Sequence, residues 1–241
     1  MKLYIGNKNY SSWSLRVWLL MNVLKLPHDE VLIKFDDLQE SSTFKQRTRT
    51  LAPAGKVPIL QDDSVIVWDS LAIVEYLAER HPGMGVWPAG QADRAMARSI
   101  CAHVHSGCLL IRSLLPMNIG VQLAEVGEAL AGHVGLQQEL DELFSLLKSL
   151  LSRHEGPYLF GVFSAADAFI APFLFRFHTY AIALPSALVA YQRAILALPS
   201  IKAWATQAAD EYVFVPVEEP YRRTVDGMIH VDLGALANTV R

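Results

Sequence analysis

Short apolar runs alternate with helical segments over the first eighty residues. Four such runs predict strands at residues 2–6, 30–35, 56–60 and 65–68. Residues 14–24 and 69–80 instead repeat apolar side chains at helical spacing, and the polar segment 36–50 predicts a loop with one short helix. The predicted element order is therefore βαβαββα, which indicates a small α/β domain.

Residues 81–90, HPGMGVWPAG, hold three glycines and two prolines and predict a linker. Beyond this linker, the apolar periodicity predicts helices at residues 91–115, 121–154, 165–180, 186–197 and 199–211. We therefore expect an α/β domain over residues 1–80 and an all-α domain over residues 91–241. The tail 215–241 shows no clear period and is expected to be an extended wrap or a loose end.

The composition is typical of a globular protein with a sizeable core. Hydrophobic residues make up 52% of the 241 residues, charged residues make up 19%, and the net charge is −3. This charge gives no general indication of nucleic acid or of an anionic membrane as a partner. The N-terminus lacks a signal-peptide pattern, so a cytoplasmic location is expected.

The chain contains two cysteines, Cys101 and Cys108, on one predicted helix. Seven residues of helix separate their Cβ atoms by about 10 Å, which is too far for a disulfide. Two buried thiols are expected, and no metal is expected.

The apolar segment 157–175 contains a single charged residue, Asp167. An aspartate near the centre of a bilayer costs about 2.5–3.5 kcal/mol, which argues against a membrane span. The spacing from Ser164 to Asp167 instead predicts a capping box at the start of a buried helix. Loss of that cap in Asp167→Ala should cost about 0.5–2 kcal/mol of stability.

The sequence Ser11-Ser12-Trp13-Ser14 places three hydroxyls at the start of the first predicted helix. This start follows the first strand directly, where open α/β sheets bind ligands. A helix N-terminus offers unpaired N–H groups and a partial positive charge, both of which suit an anion. The hydroxyls therefore either cap the helix and face solvent, or one of them contacts a bound anion.

Two further features favour a bound ligand. Val57-Pro58 enters a predicted strand, and a cis bond there would turn the N–H and C=O of Val57 toward a peptide. Asp69-Ser70 begins the next helix, where Asp69 can cap the helix or hold an ammonium group and Ser70 can hold a carboxylate. Together these features fit a small zwitterionic peptide.

At this point the sequence resembles the cytosolic glutathione transferases over residues 1–211. YSSWSLRVWLL is similar to the zeta-class serine motif, and PAGKVPIL followed by WDSLAIVEYLAER is similar to the glutathione-binding segment. FSAADAFIAPFL resembles the capping-box segment of the sixth helix in that family, and HVHSGCLLIR resembles a histidine-containing stretch of the beta class. The resemblance implies a thioredoxin-like N-terminal domain, an all-α C-terminal domain, glutathione as cosubstrate and a homodimer.

The resemblance also implies site residues. Ser11 falls on the catalytic serine of the zeta class. Val57 precedes the cis-proline and pairs with the cysteinyl part of glutathione, while Asp69 and Ser70 hold its γ-glutamyl end. The full expected set of glutathione contacts is Ser11, Lys56, Val57, Pro58, Asp69 and Ser70.

The second-substrate pocket is expected to involve Trp13 and His105. Trp13 either forms the floor of an apolar pocket or packs between the domains, and His105 is either an interdomain residue or a pocket residue. Trp13 stands where the zeta class has a cysteine associated with isomerase activity. This departure favours transfer of glutathione to a small apolar electrophile over isomerisation of a maleylacetoacetate-like substrate. A non-catalytic glutathione-binding member is the third possibility.

The expected mechanism is stabilisation of the glutathione thiolate by the Ser11 hydroxyl at the positive end of the helix. Ser12 and Ser14 are expected to cap and pack, and Arg16 is expected to pair across the domain boundary. The basic residues Lys45, Arg47 and Arg49 are expected to form a solvated face, or else a rim for the carboxylates of glutathione.

Overall fold

The computed structural model of the protein describes residues 1–236. The first part consists of β1 Lys2–Ile5, α1 Ser12–Val23, β2 Asp29–Leu32, α2 Thr43–Leu51, β3 Ile59–Asp62, β4 Val65–Trp68 and α3 Ser70–Arg80. This order confirms the predicted βαβαββα pattern. The linker residues 81–90 contain no helix or strand.

The four strands form one mixed sheet in the order β2-β1-β3-β4. β1 is parallel to β2 and antiparallel to β3, and β3 is antiparallel to β4. Ile59, the first residue of β3, pairs with both Tyr4 of β1 and Trp68 of β4. The register therefore brings the end of β1, the start of β3 and the end of β4 to one edge of the sheet.

The second part is helical up to residue 210. Its helices are α4 Gln91–Ser106, α5 Leu109–Leu114, α6 Ala124–Leu130, α7 Val134–Leu151, α8 Ala165–Thr179, α9 Ser186–Leu196 and α10 Pro199–Asp210. The predicted helix 121–154 is two helices, because the chain turns at residues 131–133 and His133 caps α7 through Leu136 N–H.

A single helix over residues 91–115 is also wrong, because α4 ends at Ser106. Gly107 lies so close to the His103 carbonyl that an added Cβ would be 2.9 Å from its oxygen. Cys108 then takes a left-handed conformation with φ +52°, and α5 begins at Leu109. Cys101 therefore lies in α4 and Cys108 lies in the turn before α5, although both are buried free thiols as predicted.

The core of the protein lies where α1 packs against α8. Both helices are largely buried, since α1 also contacts α3 and α10, and α8 also contacts α4 and α9. All residues of α8 except His178 are buried, which confirms a core helix in this apolar segment. Among residues 1–236, no helix is long and apolar enough to cross a membrane.

The capping box at the start of α8 is present and fully buried. Asp167 accepts hydrogen bonds from the N–H groups of Leu159 and Ser164, at 3.0 and 2.9 Å, and from the Tyr191 hydroxyl at 3.0 Å. Burial raises the pKa of Asp167 to about 6, against these hydrogen bonds, which lower it. Asp167 therefore joins the loop before α8 to α9 as well as capping its own helix.

Asp167→Ala is expected to destabilise the protein by about 2 kcal/mol, the upper end of the range for a lost cap. The reason is that three buried donors lose their acceptor at once. Thermal unfolding of the variant measures the loss, and retention on immobilised glutathione should not change. A binding defect with an unchanged melting temperature would contradict this structural role.

The tail after α10 differs from the all-α expectation for residues 91–241. Residues Pro216–Glu218 form a short 3₁₀ turn, and β5 Arg222–Val225 pairs with β6 Met228–Val231 as a hairpin. The Tyr10 hydroxyl donates to the Val213 carbonyl at 2.9 Å, so the tail returns to the first domain. Residues 213–222, here called the strap, therefore cover part of the first domain. Residues 237–241 of the predicted second domain lie outside the described residues.

Candidate active site

The edge of the sheet described above gathers the predicted site residues. Ser11 follows β1, Val57-Pro58 precedes β3, and Asp69-Ser70 follows β4. The Val57-Pro58 peptide bond is cis. Because Ile59 pairs with both neighbouring strands, these three segments must lie side by side.

Two adjoining cavities of ≈ 470 Å³ each open at this edge, between the two domains. The first cavity is lined in part by Tyr10, Ser11, Ser12, Lys45, Arg176 and Glu218. The second cavity is lined in part by Pro58, Trp68, Asp69, Ser70 and His105. The residues common to both are Trp13, Lys56, Val57 and Arg112. All eight predicted site residues thus line one continuous site.

The three hydroxyls before and within α1 have different partners. The Oγ atoms of Ser11 and Ser14 are 2.7 Å apart, and Ser14 Oγ also accepts from Gly6 N–H at 3.1 Å. Ser12 Oγ accepts from Arg176 Nη2 at 3.3 Å. Ser11 is the N-cap residue of α1, but its side chain accepts no hydrogen bond from the N–H groups of the helix. The expectation that a hydroxyl caps α1 is therefore wrong.

This arrangement can leave the proton of Ser11 available to a ligand. A hydroxyl donates one hydrogen bond and accepts two, and its hydrogen rotates to suit its partners. In the structure Ser11 Oγ donates to Ser14 Oγ, which also accepts from Gly6 N–H. Because both hydroxyl hydrogens can rotate, Ser14 can instead donate to Ser11 when a ligand accepts the Ser11 proton. The proton of Ser11 is then free to point into the first cavity.

The Asp69-Ser70 pair provides a different set of groups in the second cavity. Asp69 Oδ1 caps α3 by accepting from Leu71 N–H at 2.8 Å, while Oδ2 is 3.2 Å from His105 Nε2. Ser70 is buried, and its Oγ has no hydrogen-bond partner among the described residues. A buried hydroxyl without a partner is costly, so this position fits a polar group supplied by a ligand.

Trp13 and His105 contact each other at the boundary between the domains. Their rings meet edge to face with centroids 5.1 Å apart. The guanidinium groups of Arg16 and Arg112 also lie over the Trp13 ring, at 4.2 and 4.8 Å from its centroid. Trp13 therefore both lines the cavities and packs between the domains, which were the two alternatives for it.

His105 is held in a setting that disfavours its charged form. Burial lowers its pKa, and Arg16 and Arg112 lower it further, while Asp69 acts in the opposite direction. A neutral His105 can donate Nε2–H to Asp69 and so orient that carboxylate. Its Nδ1 atom is buried and has no partner among the described residues.

Arg16 extends from α1 to the second domain, as expected, but its partner is not an acid. Its Nη2 donates to the Val104 carbonyl of α4 at 3.3 Å, and its guanidinium lies over Phe169 of α8. Burial lowers the pKa of Arg16 to about 9, so it stays charged at neutral pH. Arg16 therefore stabilises the domain boundary and places a positive charge next to the Trp13 ring.

Two further cations in the site were not among the predicted residues. Arg112 Nη1 donates to the carbonyls of His105 and Gly107, and Arg176 donates to Ser12 and to the Pro172 carbonyl. Within residues 1–236, neither guanidinium forms an ion pair with a carboxylate within 4.0 Å. Burial lowers the pKa of Arg176 to about 10, so it is cationic at neutral pH.

A signal for Arg176 was present in the sequence, since it is an isolated cation in an apolar helical segment, but no comparable signal marks Arg112.

Of the basic residues in α2, Lys45 lines the first cavity and donates to the Gly55 carbonyl, and Arg49 pairs with Glu40 outside the cavities. Searched over residues 1–236, the chain has no cluster of histidine, cysteine and acidic residues that could hold a metal ion.

Comparison with known proteins places both parts of the chain in one family. The models for the N-terminal and C-terminal domains of glutathione S-transferases match residues 10–80 and 103–206. A probable maleylacetoacetate isomerase of Caenorhabditis elegans is 32% identical over 72% of this chain and 77% of its own length. The maleylacetoacetate isomerase of Dictyostelium discoideum is 28% identical over 66% of this chain and 70% of its own length.

Solved structures show the same fold. A glutathione transferase homologue from Burkholderia gl BGR1 with bound glutathione aligns with a TM-score of 0.65 at 24% identity, over 88% of this chain and 98% of that one. A zeta-class bacterial maleyl pyruvate isomerase also aligns with a TM-score of 0.65, at 21% identity, over 88% and 100% of the two chains. The thioredoxin-like N-terminal domain and helical C-terminal domain are thus confirmed.

Proposed function

The chain belongs to the glutathione S-transferase family, and we propose that it uses glutathione to isomerise a small unsaturated dicarboxylate of the maleylacetoacetate type. The observation that carries this proposal is the pair Arg112 and Arg176, two guanidinium groups without a carboxylate partner in the cavity that contains Ser11. Such groups recognise carboxylates. The names of the relatives point to the same substrate class.

Glutathione is assigned to the edge between the two cavities. Its γ-glutamyl ammonium faces Asp69, and its γ-glutamyl carboxylate receives the unpartnered hydroxyl of Ser70. The Val57 backbone pairs with the cysteinyl residue, and Lys56 contacts the glycyl carboxylate. This placement is supported by the free hydroxyl of Ser70 and directs the thiol toward Ser11 in the first cavity.

The sulfur nucleophile of the reaction must come from glutathione. Burial raises the pKa of both cysteines, and that of Cys108 reaches about 11. Neither thiol lines the two cavities. Trp13, which replaces the zeta-class cysteine, therefore does not prevent a reaction in which the glutathione thiolate attacks.

The proposed reaction begins with the glutathione thiolate. Lowering a thiol pKa of about 8.5 by about two units takes about 2.7 kcal/mol of preferential stabilisation. A charge-assisted hydrogen bond from Ser11 contributes about 1.5–3 kcal/mol, and the N-terminus of α1 adds about 0.3–1 kcal/mol. These two contributions are sufficient without a metal or a general base.

Isomerisation then needs no net oxidation or reduction. The thiolate adds to the cis double bond conjugated with a carbonyl, and the double bond becomes a single bond while an enolate forms. Rotation about this single bond and expulsion of the thiolate give the trans alkene and return glutathione unchanged. Arg112 and Arg176 bind the carboxylates and stabilise the negative charge of the enolate.

Transfer of glutathione to an apolar electrophile remains the second candidate, because Trp13, Phe35, Phe44 and Leu109 also line the first cavity. The purified protein should convert maleylacetoacetate in the presence of glutathione and leave glutathione unconsumed. A chloro-nitroarene conjugated efficiently, with no isomerisation of maleylacetoacetate, would establish transfer instead. The homodimer implied by the family and the cytoplasmic location expected from the sequence stay predictions, and sedimentation tests the first of them.

Ser70→Ala is expected to weaken the binding of glutathione about tenfold, equal to about 1.4 kcal/mol. The stability of the variant should not fall, because the Ser70 hydroxyl has no protein partner to lose. Calorimetric titration with S-methylglutathione measures the affinity. Ser99→Ala on the exposed face of α4 is the matched control, and equal affinities of the two variants would contradict the role given to Ser70.

A further inference from the structure

The strap contributes one side chain to the active site. Glu218 lines the first cavity together with Arg176, although residues 213–222 lie beyond the two segments that match the family models. The Tyr221 hydroxyl donates to the Leu114 carbonyl at 2.8 Å, which attaches the strap to the end of α5. The strap is therefore part of the wall of this cavity.

The neighbouring residue Glu219 anchors the strap beside Ser11. Its side chain is 0% exposed, and it accepts hydrogen bonds from the hydroxyls of Tyr10 and Tyr212 and from the Arg222 guanidinium. Tyr10 directly precedes Ser11 in the chain. This network uses both oxygens of Glu219 and fixes the position of Glu218 relative to the proposed catalytic serine.

The Glu218 side chain makes no hydrogen bond or ion pair within residues 1–236, and only its backbone N–H is bonded, to the Val215 carbonyl at 2.9 Å. The charged and titratable side chains around the same cavity are Tyr10, Lys45 from α2, Lys56, Arg112 from α5 and Arg176 from α8. A carboxylate without a partner thus lies in the cavity where the second substrate is expected to place its own carboxylates. Glu218 and the substrate would then compete for the positive charge of Arg176.

Burial and the neighbouring guanidinium act on this carboxyl in opposite directions. Burial raises the pKa of Glu218 to about 7, while Arg176 lowers it. Arg176 keeps its charge throughout the neutral range, since its own pKa is about 10. Glu218 can therefore exchange a proton near neutral pH when the charge in the cavity changes.

We propose that Glu218 is a specificity-determining residue that admits an anionic second substrate into the first cavity together with one proton. The inference rests on the proposed function, because it assumes a carboxylate-bearing substrate. An ionised Glu218 repels such a substrate, whereas the protonated carboxyl can donate a hydrogen bond to it. The proton comes from solvent on binding and returns to solvent on release.

The experiment titrates fumarate into the protein saturated with S-methylglutathione, by calorimetry between pH 6.0 and 8.5. Fumarate keeps both carboxylates ionised over this range, and the blocked sulfur removes the titration of the thiol. In the unmodified protein, the Kd for fumarate should increase with pH, and the increase should approach about tenfold per pH unit above the pKa of Glu218. Buffers of different ionisation enthalpy should report uptake of up to about one proton per fumarate above that pKa.

Glu218→Gln should bind fumarate with a Kd that does not change with pH and without proton uptake. Asp226→Asn, at the exposed turn of the β5–β6 hairpin, is the matched control and should behave like the unmodified protein. An unchanged melting temperature would show that the Gln variant keeps the strap in place. A variant that retains the pH dependence of the unmodified protein overturns the role of Glu218.

The same titration distinguishes failure of the proposed function from failure of the role given to Glu218. If the unmodified protein binds S-methylglutathione but no fumarate at any pH, the dicarboxylate substrate class is wrong and the role of Glu218 falls with it. If fumarate binds with the same Kd throughout the pH range, the substrate class stands and the proton-linked role of Glu218 alone is wrong.

Discussion

Ser11→Ala is expected to lower kcat/KM about 15-fold at pH 6.5. With the hydroxyl present, the pKa of bound glutathione should be about 6.5. Without it, only the contribution of the α1 N-terminus remains and the pKa should be about 8, so the thiolate fraction at pH 6.5 falls from about one half to about one thirtieth. The defect should disappear above about pH 9, where the thiol ionises without assistance. This recovery separates loss of the thiolate donor from loss of the fold.

Two measurements check this prediction. The ultraviolet absorbance of the thiolate, followed against pH in the complex with glutathione, gives the pKa of the bound thiol directly. Steady-state kinetics over the same pH range give the ratio of kcat/KM between the two proteins. A bound thiol with the same pKa in both proteins would show that Ser11 is not the donor.

Ser12→Ala is the matched control, because Ser12 Oγ accepts from Arg176 while Ser11 Oγ contacts Ser14. It should leave the pKa of the bound thiol unchanged. Ser14→Ala should raise that pKa by less than Ser11→Ala does, since Ser14 only orients the hydroxyl of Ser11. The order Ser11, Ser14, Ser12 in decreasing effect is thus the signature of the hydroxyl arrangement in the structure.

Arg112→Gln is expected to raise KM for an unsaturated dicarboxylate about 10- to 100-fold, which corresponds to loss of one charge-assisted hydrogen bond. Activity with a neutral chloro-nitroarene, if detectable, should change much less. Arg112→Lys should recover part of the loss, because lysine keeps the charge but not the planar pair of donors. The split between charged and neutral substrates is the decisive readout.

Arg193→Gln on the exposed side of α9 provides the control for removal of a positive charge. Arg112 also donates to the carbonyls of His105 and Gly107, so the melting temperature of Arg112→Gln should be measured beside its kinetics. An equal loss of activity toward both substrate types would assign Arg112 to the stability of the α4–α5 turn. It would also remove the main support for a dicarboxylate substrate.

The local features of this protein were predictable because short-range interactions produce them. Asp69 caps α3 and Asp167 completes the capping box of α8, since both carboxylates bond to N–H groups a few residues away. The alternation of strands and helices was likewise visible in the apolar pattern. The break in the predicted helix at Gly107 was not, because helical periodicity continues through it.

The sequence by itself determined the two-part organisation, the segments that meet at the sheet edge and the hydroxyls at the start of α1. The tertiary structure alone decided the electrostatic character of the second-substrate cavity. Arg112, Arg176 and Glu218 belong to α5, α8 and the strap, and they converge only through the packing of these three elements. Local patterns report which backbone a segment forms, whereas the charge of a cavity depends on how distant segments pack together.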